Sequence, residues 1–402
     1  MKRSGSADLP LHYGSVPKWL GDRMAKLGFA ITEAIITEYG KEAFLQRMSN
    51  PFWFQSFGAV MGMDWHSSGI TTSVMWALKK SINPNSKSLG LYICGGRGKF
   101  SRETPAELLA IAGTTGLNGN ELVRNSKLSA KVDNTAVQDG FQLYMHNFLL
   151  SDDGKWTVVQ QGMDTANRTA RRYHWHSDNI QSFVEEPHTG VCGINQGQIL
   201  NLTAKEARPT RQHILDFARE EPIQVLKEFQ QLIMPSHHDV QAADVNLKRL
   251  GSILWLAHER APEDFETLLM LEGVGPRTIQ SLTLVSEVIH GTPSRFNDPA
   301  RFSFAHGGKD GHPFPVPTKI YDETISTLQT AVQKSKLGNS EKSEAIRKLH
   351  QIAAGAEKDF IPNKNFDALI QKERDESWKY GGKTVSGDAK PPQKVASQLK
   401  LF

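Results

Sequence analysis

The sequence predicts an α+β protein: a mixed α/β unit to about residue 210, a helical unit over 211–372, and a basic tail over 373–402. Three patterns carry that prediction. Apolar residues recur at three- and four-residue spacing over residues 15–49, short apolar stretches broken by Gly, Asn, Asp and Ser follow to about Ile199, and helical periodicity dominates from Arg211.

In the first helix, Leu20, Met24, Leu27, Ile31 and Ile35 share one face, Ser15 and Pro17 are placed to start it, Gly40 interrupts it, and Asn50-Pro51 ends the segment. The stretches Leu89 to Cys94, Phe141 to Leu150 and Lys155 to Gln160 read as strands, the last two joined by the hairpin turn Ser151-Asp152-Asp153-Gly154. Thr104-Pro105 opens a helix over 104–113. Further helices are expected from Pro222 to Met234, Asp244 to His258, Tyr321 to Lys334 and Ser340 to Ala356, with a loop from Asn297 to Pro317.

A hydrophobic content of 39%, with 22% charged residues, describes a globular protein, and no apolar run approaches a membrane span of about 20 residues. The N-terminus lacks an apolar signal core, so a cytoplasmic location is expected and no membrane partner is called. Two cysteines, Cys94 and Cys192, are too few for an all-cysteine zinc or iron–sulfur site. The net charge of +4 gives a mild basicity that suits nucleic acid.

The segment Glu263 to His290 contains an apolar-Glu-Gly-apolar-Gly turn between two helical stretches, the pattern of a helix-hairpin-helix. Gly273 and Gly275 are expected to permit positive φ and to admit a phosphate without an intervening Cβ. Val274 is expected to pack between the helices, and Pro276, Arg277 and Thr278 to open the second helix, whose positive dipole end favours an anion. Such a hairpin holds a sugar–phosphate backbone with little sequence preference. A second glycine-rich loop, Gly95-Gly96-Arg97-Gly98-Lys99, lacks the spacing and hydroxyl of a nucleotide-binding loop. It reads either as a phosphate contact, through Gly96, Arg97, Gly98 and Lys99, or as a solvated turn.

Polar side chains in the first unit suggest chemistry. Asp64, His66 and Asp133 are candidate catalytic residues, and Asp64, His66, His174, His176, Glu186 and His188 a candidate donor set for Mn²⁺ or Mg²⁺, with Zn²⁺ also compatible. Phosphodiester cleavage recruits such metals to activate water, although no short nuclease signature is present.

The chain closes on Gln398-Leu399-Lys400-Leu401-Phe402. This pentapeptide resembles the tails by which bacterial polymerases and repair proteins dock on the sliding clamp. Gln398 offers hydrogen bonds, while Leu399, Leu401 and Phe402 are apolar anchors. From Lys379 to Lys400 the chain holds five lysines and one acid, a composition that cannot bury a core and makes a tether. The alternative is a terminus that folds back onto its own protein.

The runs Pro51 to Gln55, Asp64 to Gly69, Ser129 to Asn134, Gln138 to Tyr144, Glu185 to Gly190, Leu271 to Thr278 and Ser303 to Gly311 resemble those of the prokaryotic domain of unknown function 763. The resemblance, over roughly residues 8–350, implies a helix-hairpin-helix protein suspected of acting in DNA repair. Together these readings predict a metal-dependent DNA nuclease recruited by the clamp. A non-catalytic adaptor that binds a DNA structure is the alternative. A base-excision glycosylase is a further one, in which Asp298, after Gly291-Thr292-Pro293, would be the catalytic carboxylate, although Pro276-Arg277 fills the usual lyase lysine position. Oligomeric state is left open.

Overall fold

The computed structural model describes residues 9–10, 18–63, 68–166, 169–231, 247–300, 318–336, 338–345, 347, 383–384 and 387–388. Asp64, His66, the segment 303–311 and the closing pentapeptide 398–402 lie outside the described residues.

A two-residue strand β1 (Leu9–Pro10) precedes the long helix α1 (Lys18–Ser49), in which Gly40 adopts φ 86° and breaks the helical path, as its position suggested. Asn50 then caps α2 (Pro51–Val60), accepting from the amides of Phe52 at 2.9 Å and Trp53 at 3.2 Å. After α3 (Gly69–Ile82) and α4 (Ser86–Leu89), the chain enters β2 (Leu91–Arg97). The reading of 52–89 as a run of short apolar stretches is corrected by α2 and α3. Every residue of α2 is buried, so its apolar residues surround the axis and leave no one-sided stripe to read.

Helix α5 (Lys99–Thr115) starts five residues before Thr104-Pro105 and takes Pro105 inside. Proline cannot donate to the Ser101 carbonyl, and the Thr104 hydroxyl takes that carbonyl instead, at 2.9 Å. Helix α6 (Gly119–Lys131) runs into a π-helical turn, Val132–Ala136, of the kind frequent at functional sites. Strands β3 (Val137–Gln138), β4 (Gln142–Ser151), β5 (Trp156–Asp164), β6 (Thr169–His176), β7 (Gly190–Cys192) and β8 (Gln198–Asn201) complete the first half.

The main sheet has the order β1-β6-β5-β4-β2, with β7 also on β6, and every pairing is antiparallel. Side-chain alternation divides the core in two. Ile93, Met145, Leu149 and Val159 face the cluster made with α1–α3. Cys94, Phe148, Leu150, Val158, Tyr173 and Trp175 face the cluster made with α5 and α6.

That second cluster continues into the helices that follow: α7 (Arg208–Arg219), α8 (Pro222–Gln231), α9 (Leu247–Arg260), α10 (Phe265–Met270) and α11 (Pro276–His290). Leu254, Leu268, Ile279 and Val285 thus share a core with sheet residues. The short β9 (Phe296–Asn297) pairs with β8, making a second sheet of order β3-β8-β9. Helix α12 (Thr318–Lys334) returns to the first cluster through Leu328, Ala331 and Val332. Strands β10 (Lys383–Thr384) and β11 (Gly387–Asp388) form a separate two-stranded pair. No helix among the described residues is long and apolar enough to cross a membrane.

Candidate nucleic-acid interface

Helices α10 and α11 are joined by a tight turn. Asp264 caps α10 by accepting from the Thr267 amide at 2.7 Å, and Gly273 turns the chain with φ 83°. Val274 is buried, as expected, in the core shared with α9. Gly275 departs from expectation: it is extended, with φ −147° and ψ −175°, a conformation open to any residue. Its lack of a side chain serves space rather than φ. A Cβ built there would have the Gly273 carbonyl oxygen at 4.0 Å as its nearest neighbour, so the room beside it is open to a ligand.

Pro276, which has no N–H to leave unsatisfied, starts α11, and Arg277 stands exposed beside it. The turn is anchored to the first half of the chain from below. Lys131, at the end of α6, donates to the Val274 carbonyl at 2.5 Å, and Gln138 donates to the Pro276 carbonyl at 2.8 Å. Partial burial lowers the Lys131 pKa.

The start of α11 opens onto a cleft of about 1390 Å³. Pro276, Arg277 and Gln280 form one wall, the β3–β4 connection from Gln138 to Leu143 contributes the floor, and Asp164, Gln196 and Gln198 face in from the sheet ends. Side-chain amides are the most numerous polar groups of the lining: Asn134, Gln138, Gln142, Gln196, Gln198 and Gln280. Arg277 and Arg295 supply cationic groups, and Asp164 an anionic one. Such a surface combines neutral hydrogen-bonding groups with cations, the chemistry that sugar–phosphate contacts use.

Beneath the floor lies a buried ion network. Arg171 of β6 donates to Asp139 at 2.9 Å and to both oxygens of Asp298, at 3.0 and 2.8 Å, with all three side chains excluded from solvent. Tyr173 donates to Asp139 at 2.6 Å, and the amides of Gln196 and Ala300 each donate to Asp298 at 2.8 Å. Burial works against the Arg171 charge, but Asp139, Tyr173 and Asp298 outweigh it and raise its pKa. Asp298 therefore pins the chain after α11 to the sheet, with both carboxylate oxygens committed.

Among the described residues, the candidate metal donors His174, His176, Glu186 and His188 do not come together. His174 and His176 project from β6 toward α1 and α2, whereas Asp133 and His188 lie on the opposite face with Trp175, as the period of a strand requires. Both ring nitrogens of His174 are occupied: Nδ1 donates to the Met48 carbonyl at 3.0 Å, and Nε2 accepts from Arg172 at 2.8 Å. Burial and the Arg172 charge push its pKa well below the usual histidine value. His176 bonds Thr157 at 2.9 Å and Glu186 is exposed. Asp133, a proposed catalytic residue, is fully buried and accepts from Trp175 Nε1 at 2.9 Å and from the Gln160 amide, with His188 at 2.5 Å. Among the described residues, no three His, Cys, Asp or Glu side chains group as a metal site.

The first glycine of the loop after β2 has a structural reason. A Cβ on Gly95 would meet the His146 carbonyl oxygen at 2.2 Å, and Glu107 accepts from the Gly95 amide at 2.5 Å while pairing with Lys79 at 2.6 Å. Gly96 is half-buried, whereas Arg97, Gly98 and Lys99 are exposed at the start of α5. Arg295, Gln280, Gln142 and Gln196 were missed from sequence because each is an ordinary polar residue in its local context.

These features define an α+β protein in which an antiparallel sheet and a glycine-turned helix pair enclose a polar cleft. The chain belongs to the family described as protein of unknown function (DUF763), which matches residues 5–316. No curated protein and no solved structure is significantly similar to it.

Proposed function

We propose that the protein binds DNA by its sugar–phosphate backbone, with the α10–α11 turn as a helix-hairpin-helix and the adjoining cleft as the path of the strand. The observation that carries this reading is Gly275: it needs no glycine for its φ, and the missing Cβ leaves open space at the start of a 15-residue helix, beside exposed Arg277. A phosphate there meets uncapped backbone N–H groups, the helix dipole and a guanidinium together. The lysine-rich tether ending in Gln398, Leu399, Leu401 and Phe402 supports recruitment to the sliding clamp, and hence work in repair or replication.

Of the three readings weighed from sequence, a nuclease, a non-catalytic adaptor and a glycosylase, we favour the adaptor, which binds without cutting. Of the donors expected for Mn²⁺ or Mg²⁺, His174 and His176 are turned away from His188 across the sheet, while Asp64 and His66 lie outside the described residues. Against glycosylase chemistry stands the bidentate hold of Arg171 on Asp298.

The experiment is binding and product analysis with labelled single-stranded, duplex and bubble DNA, in Mn²⁺, Mg²⁺ or EDTA. Binding without new fragments, weakening steeply as salt rises, is the expected outcome. Failure to bind any of the three would refute the proposal; metal-dependent cutting lost on Asp64→Ala/His66→Ala would restore the nuclease.

A further inference from the structure

Leu143 separates the cleft from a second, smaller pocket of about 300 Å³ between α5 and α6. Ser126 and His146 line it, with Arg102 and Lys127 exposed at its rim. Ser126 Oγ lies 2.9 Å from His146 Nε2, and His146 Nδ1 lies 2.7 Å from Gln160 Oε1.

The direction of these bonds is fixed by what surrounds them. The Gln160 amide nitrogen donates to the Ser129 carbonyl at 3.1 Å and to the Asp133 carboxylate, which turns Oε1 toward the imidazole. Nδ1 must then carry the proton, Nε2 is left with its lone pair, and the Ser126 hydroxyl must donate to it. A mid-helix serine commonly bonds back to the preceding turn; this hydroxyl points at the histidine instead. Burial lowers the His146 pKa and keeps the ring neutral near pH 7. A serine hydroxyl on the bare nitrogen of an oriented, neutral imidazole is the arrangement of an activated nucleophile and its general base.

We infer that Ser126 and His146 are a nucleophile–base pair that cleaves small esters carrying an anionic group. In the first step Ser126 Oγ bonds to the substrate's carbonyl carbon and its proton passes to His146 Nε2. The bond to the leaving alcohol breaks, and Nε2 returns that proton to the alcohol oxygen. Water then attacks the acyl-serine in the same way, releasing the acid and restoring the serine. No further reactant is required. The pocket volume stands at the lower end of the small-molecule range of about 300–1,000 Å³, which sets the substrate size. Arg102 and Lys127 at the rim supply the charge that holds an anionic group.

The test treats the intact protein with a small alkyl fluorophosphonate, which phosphonylates an activated serine with loss of fluoride, and locates the adduct by peptide mass spectrometry. The expected result is one adduct on Ser126, formed at least tenfold more slowly in His146→Gln under conditions where that variant is still fully folded by circular dichroism. Wild-type protein should also hydrolyse 4-nitrophenyl succinate, and Ser126→Ala should not. Wild-type protein that stays unmodified at Ser126 while a reference serine esterase is fully labelled would overturn the inference, and needs no variant to fold. An equal labelling rate in His146→Gln would remove the base, and labelling without ester turnover would remove the acyl assignment.

Discussion

At the scale of single residues, the first half of the chain is organised by charges and imidazoles taken out of water. All eight residues of β6 are buried, including Arg171, Arg172, His174 and His176. A charge so placed persists only when paired, and removing one partner of a buried pair costs about 3–5 kcal/mol. Asp298→Ala, which leaves Asp139 as the remaining counter-charge of Arg171 and frees two backbone amides, is therefore expected to destabilise the fold in urea denaturation by up to about that amount. The same residues set a pH dependence. His146, His174 and His176 all have pKa values below the ordinary one, chiefly through burial. A histidine whose folded pKa is depressed is protonated more readily when unfolded, so its contribution is complete above the unfolded value of about 6.5 and is lost as pH falls. The denaturation midpoint should thus be higher at pH 7.5 than at pH 5.5. None of this was legible in Arg171-Arg172-Tyr173-His174-Trp175-His176 as a string. Which side chains met carboxylates, and which met helices α1 and α2, depends on chain 32 to 127 residues away.

At the scale of elements, sequence was most informative where a residue type is required by backbone geometry. Gly40 breaks α1, Ser151 to Gly154 turn β4 into β5, and Gly273 turns α10 toward α11. It was least informative where burial is total, as in α2, because an all-round apolar helix and a buried strand share one composition. The candidate interface was half legible: its helix pair is local and was read from Leu268 to Ile279, whereas its cleft is assembled from five separate stretches. The two glycines of the turn separate cleanly by experiment. Gly273→Ala places a Cβ at φ 83° and should destabilise the fold by roughly 1–2 kcal/mol. Gly275→Ala should leave the melting temperature unchanged, since its φ is ordinary and no atom lies nearer than 4.0 Å.

At the scale of the whole molecule, one apolar cluster runs from the sheet through α6 to α7, α9, α10 and α11. Lys131 and Gln138 fasten the turn to the first half, so the proposed DNA contact and the cleft floor form one continuous surface. The tail acts separately in this account. Deleting 398–402 should abolish capture by an immobilised sliding clamp while leaving DNA affinity unchanged, and clamp capture that survives the deletion would end the recruitment proposal.

The most direct test of the central claim is a salt titration of DNA binding by fluorescence anisotropy, comparing wild type, Gly275→Ala and Arg277→Ala. Both variants should melt like wild type and bind more weakly. The slope of log K against log salt should fall by about one phosphate contact in Arg277→Ala. Wild-type affinity and slope in both variants would contradict it, and would place any DNA contact elsewhere on the molecule.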